Sequence, residues 1–304
     1  VYEQIARNKR RTFVILFAFV ALVMLVAVAF DLLLGGGWVG LIIVAIISIG
    51  LAFFSYYNSD KVALAASHAK PADGAEYRRY HNLVEGLCIA AGLPKPRLYV
   101  VDDPAPNAFA TGRNPRHAAI AVTTGLLDKM NRVELEGVLA HELSHIKNYD
   151  ILVTTVAVIA VGAIALLADI GLRFAFWGGI SDDRRDSNNS GGLAGILALL
   201  SLALLVLAPF AGYLMQFAMS RNREYLADAS GVQLTRYPPG LIAALQKLRD
   251  DQAVVHYATK ATAQMWIEQP LEPGRGKKDA RSRFNNLFDT HPPLEDRIAR
   301  LQEM

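Results

Sequence analysis

Residues 131–148 read Asn131-Arg-Val-Glu-Leu-Glu-Gly-Val-Leu-Ala-His-Glu-Leu-Ser-His-Ile-Lys-Asn148. Val133, Leu135, Val138, Leu139, Leu143 and Ile146 recur at spacings of three and four, which predicts an amphipathic helix. Asn131 caps it, and Glu134 three residues on completes a capping-box start. Within that helix His141 and His145 lie four apart, one above the other on one face, so both imidazoles can converge on a single metal ion. Glu142 sits beside the ion without binding it, placed to take a proton from a water that the metal activates. This H-E-x-x-H arrangement is the one zinc peptidases use, and it outweighs the alternative of two polar histidines on a solvated helix face.

A zinc site that does chemistry needs a third protein ligand and an open position. The extended pattern H-E-x-x-H-x-x-G-x-x-H is excluded, because Asn148 and Ile151 stand where its glycine and last histidine would be. The other common source is a glutamate on a later helix, and Asn222-Arg-Glu-Tyr-Leu-Ala-Asp-Ala-Ser supplies Glu224 with Asp228 one turn further on. Glu224 is the candidate ligand. Asp228, on the same face, would accept a hydrogen bond from a ligand histidine and fix its tautomer. The alternative here is a surface ion-pair helix.

The 304 residues are 53% hydrophobic, with a mean hydropathy of +0.25, which points to a membrane protein rather than to a larger soluble core. The apolar residues gather in blocks at Thr12–Leu34, Trp38–Tyr57, Ile151 to about Trp177, and about Leu193 to Met219, each long enough for a bilayer-crossing helix. Asp169 and Arg173 fall in the third block, where Phe174, Phe176 and Trp177 suggest an interfacial belt and a snorkelling Arg173. Arg7, Lys9, Arg10 and Arg11 before the first block, with Arg221 and Arg223 after the fourth, put the N-terminus in the cytoplasm. Arg184 and Arg185 count against this orientation without reversing it. Ala27-Val28-Ala29 resembles a signal-cleavage site, but the apolar run continues to Leu34, so an uncleaved anchor is expected.

The expected organisation is therefore a polytopic α-helical membrane protein with four transmembrane helices and a mainly helical, zincin-like α+β catalytic domain carrying a small β-sheet. Residues 1–57 form the N-terminal tail and the first two spans. Residues 58–150 form a cytoplasmic catalytic region, 151–219 the last two spans with an outside loop at 178–192, and 220–304 a second cytoplasmic region. The two cytoplasmic regions each hold part of the metal site, so they should fold together, with the ion just above the membrane face. Helix is expected from Glu76 to Ala91, ended by Gly92 and Pro94, and strands at Arg97–Val101, Asn107–Thr111 and His117–Thr123. His117 reads as an ordinary strand residue. About six residues separate His145 from the third span, roughly 9 Å of helix, so the metal helix is expected to run on into the membrane. The segment Gln269–Lys278, with Pro270, Pro273, Gly274 and Gly276, reads as a linker in preference to a flap. The lone Cys88 forms no internal disulfide, and a net charge of +3 gives no case for nucleic acid.

Together these residues resemble an HtpX-type membrane zinc endopeptidase, a relative of the CAAX prenyl proteases in the gluzincin group. The resemblance rests on His141-Glu142-Leu143-Ser144-His145, Asn222-Arg-Glu-Tyr-Leu-Ala-Asp228, Pro106-Asn-Ala-Phe-Ala-Thr-Gly112 and Thr290-His-Pro-Pro-Leu-Glu-Asp-Arg-Ile298, and with the four-span layout it covers nearly the whole chain. It implies one Zn2+ per chain held by His141, His145 and Glu224, with Glu142 as general base. It further implies His291 as a transition-state hydrogen-bond donor, Arg297 as a partner behind the ligands, and the strand Asn107, Ala108, Phe109, Ala110 and Thr111 as the edge that holds substrate. The implied activity is quality-control cleavage of damaged or misassembled proteins in a bacterial inner membrane, a stress-response role, with membrane-protein substrates, the lipid bilayer and membrane quality-control proteins as partners. The rival readings are a CAAX-type prenyl-protein protease, and a non-catalytic membrane scaffold or transporter whose structural zinc is closed by His256 or His291 as a fourth ligand.

Overall fold

The computed structural model describes residues 2–34, 38–160, 162, 221–251, 253–256, 265–267 and 292–304. The helices are α1 (Tyr2–Leu34), α2 (Trp38–Ala66), α3 (Arg78–Ala91), α4 (Thr124–Lys129), α5 (Arg132–Lys147), α6 (Asp150–Ala160), α7 (Arg221–Thr235), α8 (Pro238–Asp250) and α9 (Leu294–Gln302). The strands are β1 (Lys70–Pro71), β2 (Arg97–Val101), β3 (Ala108–Gly112) and β4 (Ala118–Thr123). Among the described residues the protein is mostly helical, with one small mixed sheet.

The metal-motif helix α5 starts as its sequence dictates. The Asn131 side chain accepts from the N–H groups of Val133 (2.9 Å) and Glu134 (3.0 Å), and the Glu134 carboxylate accepts from the Asn131 N–H at 2.8 Å. Packing then outweighs capping. Such a cap is worth about 1 kcal/mol, whereas each buried Leu, Val or Ile side chain contributes about 1.5–3 kcal/mol; Leu135, Val138, Leu139, Leu143 and Ile146 are all buried. The amphipathic reading needs correction, because α5 is not a surface helix. It is buried almost all round, between α7, α8, α3 and β3, and of the six apolar positions only Val133 is exposed.

Two glycines set how close the neighbours come. A Cβ on Gly137 would stand 2.8 Å from the Leu241 nitrogen of α8, and one on Gly231 of α7 would stand 3.1 Å from the His141 nitrogen. A side chain at Gly231 would push apart the two helices that carry the candidate ligands, and one at Gly137 would push α8 off α5.

The sheet order is β1-β2-β4-β3, with β2 and β4 parallel and β3 antiparallel to β4. Because successive side chains point to opposite faces, one face sends Leu98, Val100, Ala110, Ile120 and Val122 into the core around α5 and α3. The other sends Val101, Phe109, Ala119 and Ala121 against Ile15 of α1, Leu64 of α2, and Leu152 and Val156 of α6. β3 and β4 are accordingly buried along their whole length. The Gly112–Pro115 region turns the chain between them as expected, but His117 belongs to a 3-10 turn (Pro115–His117) capped by Asn114, not to the strand.

The expected continuation of α5 into the membrane does not occur. The chain turns at Asn148 and at Tyr149, whose φ of 60° is left-handed, before α6 begins at Asp150. Among the described residues α2 is the helix long and apolar enough to cross a membrane by length and composition, with a mean hydropathy of 2.5. Phe17 of α1 and Trp38, Ile46 and Phe53 of α2 are more than half exposed. A surface of this kind is suited to lipid and gives the protein a membrane location. The first apolar block lies in α1, and α6 covers the start of the third. The rest of the third block with Asp169 and Arg173, the fourth block, the 178–192 loop and Gln269–Lys278 lie outside the described residues.

Candidate active site

α5 presents His141 and His145, and α7, packed against it, presents Glu224. The two Nε2 atoms lie 3.1 Å apart. Glu224 Oε2 is 3.6 Å from Nε2 of His141, and Glu224 Oε1 is 3.6 Å from Nε2 of His145. Among the described residues this trio alone gathers as a metal-holding cluster, its candidate ligand atoms all within 4.8 Å of one another. His256 does not join it. Its backbone N–H donates to Asp103 at 2.7 Å and its side chain is largely exposed, so it does not close the site as a fourth ligand.

Each imidazole is held from behind. Nδ1 of His141 donates to Asp228 at 2.8 Å, and Nδ1 of His145 donates to Asp150 at 3.1 Å. With their protons committed to carboxylates, both neutral rings turn an Nε2 lone pair inward. Two lone pairs 3.1 Å apart beside a carboxylate repel unless a proton or a cation lies among them. The donor set of two imidazoles and one carboxylate suits zinc.

The proton balance agrees. Burial and nearby Arg297 pull the His141 pKa down, but the hydrogen bond and charge of Asp228, helped by Glu224, carry it up to about 9. Burial opposes the charge on His145 as well, yet Glu224 and Asp150 raise its pKa. A divalent ion entering the trio displaces these protons and takes over their role.

Behind His141 stands a buried ion pair. Arg297 of α9 forks onto Asp228, with Nε–Oδ2 at 2.9 Å and Nη2–Oδ1 at 2.7 Å, and its Nη1 donates to the Ile267 carbonyl at 3.3 Å. The approach of Arg297 Nη2 to His141 Nδ1 at 3.4 Å joins two donors and is proximity only. Burial alone would raise the Asp228 carboxyl, but Arg297 and His141 hold its pKa down to about 2.

Glu142 is buried in the same cleft, and burial above all pushes its pKa up, against the pull of the two histidines. The cleft holds about 30 Å³, room for one or two water molecules, and is lined also by Ala110, Ile151, Thr154, Met265 and Trp266. His291 lies outside the described residues.

β3 is an edge strand, as expected, and its alternation narrows the residues that could hold a partner. Asn107, just before the strand, directs its carbonyl to the Thr123 N–H, whereas the Ala108 carbonyl faces outward and accepts from the Ile267 N–H at 2.9 Å. In an antiparallel pair this places Phe109 and Thr111 with Asn107, facing β4, and Ala108 and Ala110 on the outward edge. Phe109 is fully buried against Trp266, and the Thr111 hydroxyl meets Thr155 of α6 at 3.1 Å. Sequence reasoning missed Asp150, although an acid at the head of an apolar run five residues after His145 is a visible signal. It also missed Asn8, whose amide reaches Asp150 at 2.7 Å, and the Met265–Ile267 segment, for which there was no local signal.

Residues 75–304 match the family model described as Peptidase family M48. A protein called Protease HtpX homolog from Dictyoglomus thermophilum is 44% identical over 303 residues, covering 100% of this chain and 94% of its own length. One of the same name from Listeria monocytogenes is 43% identical over 310 residues, covering 100% of both. Among solved structures, the crystal structure of S. mikatae Ste24p aligns with 99% of this chain and 67% of its own at 16% identity, a likeness with a TM-score of 0.49 that bears no weight.

Removing the arginine would take the compensating cation from the buried Asp228 carboxylate and leave it the His141 N–H. Arg297→Ala is expected to lower unfolding stability by about 3–5 kcal/mol, and Arg297→Lys, which keeps the charge and loses the fork, by less. Denaturant unfolding of the detergent-purified protein measures both; equal stability of Arg297→Ala and wild type would show that the pair holds nothing in place.

Proposed function

The chain belongs to peptidase family M48 and is a zinc-dependent peptidase acting on proteins, and from that premise we propose how its residues divide the work. His141, His145 and Glu224 hold one zinc ion per chain, and Glu142 is the general base. The observation that carries this reading is the convergence of both Nε2 atoms, 3.1 Å apart, on the Glu224 carboxylate. When bound, zinc supplies a Lewis acid that polarises a carbonyl and acidifies water.

The rest is done by the chain's own groups. Glu142, beside the ligands and with a pKa raised by burial, takes the proton of the attacking water and passes it to the departing amine. Asp228 and Asp150 keep both imidazoles in the tautomer that faces the ion. The outward main-chain groups of Ala110 bind an extended peptide by strand addition, which gives affinity without demanding particular side chains. His291 donates to the oxyanion. Substrates are damaged or misassembled membrane proteins, and the HtpX-named relatives at 43–44% identity favour this over a prenyl-protein protease. Four spans in a bacterial inner membrane, with both termini and the catalytic region cytoplasmic, complete the proposal; the exposed apolar faces of α1 and α2 and the basic residues at Arg7–Arg11 support it.

Glu142→Ala should keep about one zinc per chain and lose peptide hydrolysis, whereas His145→Ala or Glu224→Ala should lose both. Metal analysis beside a casein-type cleavage assay decides, and loss of zinc in Glu142→Ala with the fold intact would overturn the assignment. Because the Ala110 N–H faces outward, Ala110→Pro should spare the β3–β4 ladder and retain zinc and thermal stability, yet raise KM or abolish cleavage of extended peptides. Unchanged kinetics would remove the edge from substrate binding. For topology, Ser187→Cys should react with a membrane-impermeant thiol reagent in intact cells, and Ser282→Cys only after permeabilisation; the reverse pattern would put the catalytic region outside.

A further inference from the structure

Asp150 reaches His145 only because the chain breaks its helix. On a continuous helix a residue five positions after His145 would point about 140° away from it. Instead the chain turns at Asn148 and Tyr149, and Asp150 Oδ2 returns to Nδ1 of His145 at 3.1 Å. Tyr149 has a φ of 60°, a conformation that costs a non-glycine residue and persists only when its surroundings impose it.

The surroundings come from the N-terminal helix. Asn8 of α1 is buried, and its single amide nitrogen donates both to the Asn148 carbonyl at 2.8 Å and to Asp150 Oδ1 at 2.7 Å, which uses both of its hydrogens. Lys9, the next residue, lies over the Tyr149 ring at 5.0 Å. Arg223 of α7, one residue before Glu224, also stands 3.5 Å from the same carboxylate oxygen. Asp150 is thus shared between a candidate metal ligand, the helix that carries another, and α1. Asn8 precedes the part of the chain that the family model matches, which begins at residue 75.

We propose that Asn8 and Asp150 are positioning residues for the metal centre: docking of α1 clamps the 148–150 turn, the turn aims Asp150, and Asp150 orients His145. The metal affinity of the catalytic region then depends on an N-terminal helix whose later residues form an exposed apolar surface, so displacement of α1 loosens the zinc site. This rests on the reading of His141, His145 and Glu224 as ligands.

The test is the zinc dissociation constant of the full chain in detergent, measured by competition with a chromophoric chelator. Partners behind a metal ligand are worth about 10–100-fold in affinity. Asp150→Asn, which keeps the shape and loses the charge, should weaken zinc binding within that range, and Asn8→Ala by on the order of 10-fold. Asn8→Asp keeps the volume but sets a second carboxylate against Asp150, and should weaken binding at least as much as Asn8→Ala. If the residues act in series, adding Asn8→Ala to Asp150→Asn should cost little more than Asp150→Asn alone. Leu87→Val in α3, which costs core packing away from α1 and the turn, should leave zinc affinity as in wild type; this separates orientation from general stability. Wild-type affinity in both Asn8 variants, or additive losses in the double variant, would overturn the proposal. A wild-type chain that binds no zinc, or a His145→Ala variant that binds it as tightly as wild type, would instead defeat the ligand reading.

Discussion

Two imidazole nitrogens held 3.1 Å apart, each with its other nitrogen tied to a carboxylate, are the constraint around which this molecule is built. Neutral rings in that arrangement repel, so the geometry persists only if rigid elements impose it or a proton or a metal cation relieves it. The elements that impose it are far apart in sequence. α5 supplies both rings, α7 the facing carboxylate, α9 the arginine behind Asp228, and the turn before α6 the second carboxylate. Gly231, pressed against the His141 backbone, lets α7 approach closely enough for Glu224 to reach both rings.

The buried charges order this assembly more than they stabilise it. A desolvated arginine–carboxylate fork repays roughly what its burial costs, so its main consequence is that one arrangement satisfies it and neighbouring ones do not. Arg297 ties Asp228, and through it His141, to the Ile267 carbonyl, and Ile267 in turn donates to the outer edge of β3. The metal trio and the strand proposed to receive substrate are therefore fastened to one another through a few hydrogen bonds. The apolar core around α5 provides the stability that makes such a costly polar network affordable.

The sheet joins two environments. One face packs on the core that holds the metal trio, the other on α1, α2 and α6, and the small side chains of Ala119 and Ala121 let those helices lie close. A strand buried on both faces loses the polar alternation that usually reveals strands facing water. It leaves only an edge for binding, and on β3 that edge opens into the cleft at Ala110.

Much of this was legible in the chain itself, for a physical reason: local periodicity and ligand spacing are properties of neighbouring residues. The capping box at Asn131, the i, i+4 pair His141 and His145, the Glu224–Asp228 pair one turn apart, the β2, β3 and β4 strands and the helices of the first two apolar blocks all follow from contacts within a few residues. Resemblance to a known family added Arg297, which sequence spacing alone would not have singled out. What the tertiary structure decided are relations between residues distant in sequence. The sequence pattern predicts an amphipathic helix; burial makes α5 a central one, because α7, α8, α3 and β3 surround it. The alternation of β3 chose Ala108 and Ala110 over Asn107, Phe109 and Thr111 as the outward-facing positions, since pairing with β4 consumes the others. The link from Asn8 to Asp150 spans 142 positions, and no local pattern encodes it. It exists because a left-handed turn at Tyr149 and the docking of α1 bring together groups whose sequence neighbourhoods carry no trace of each other.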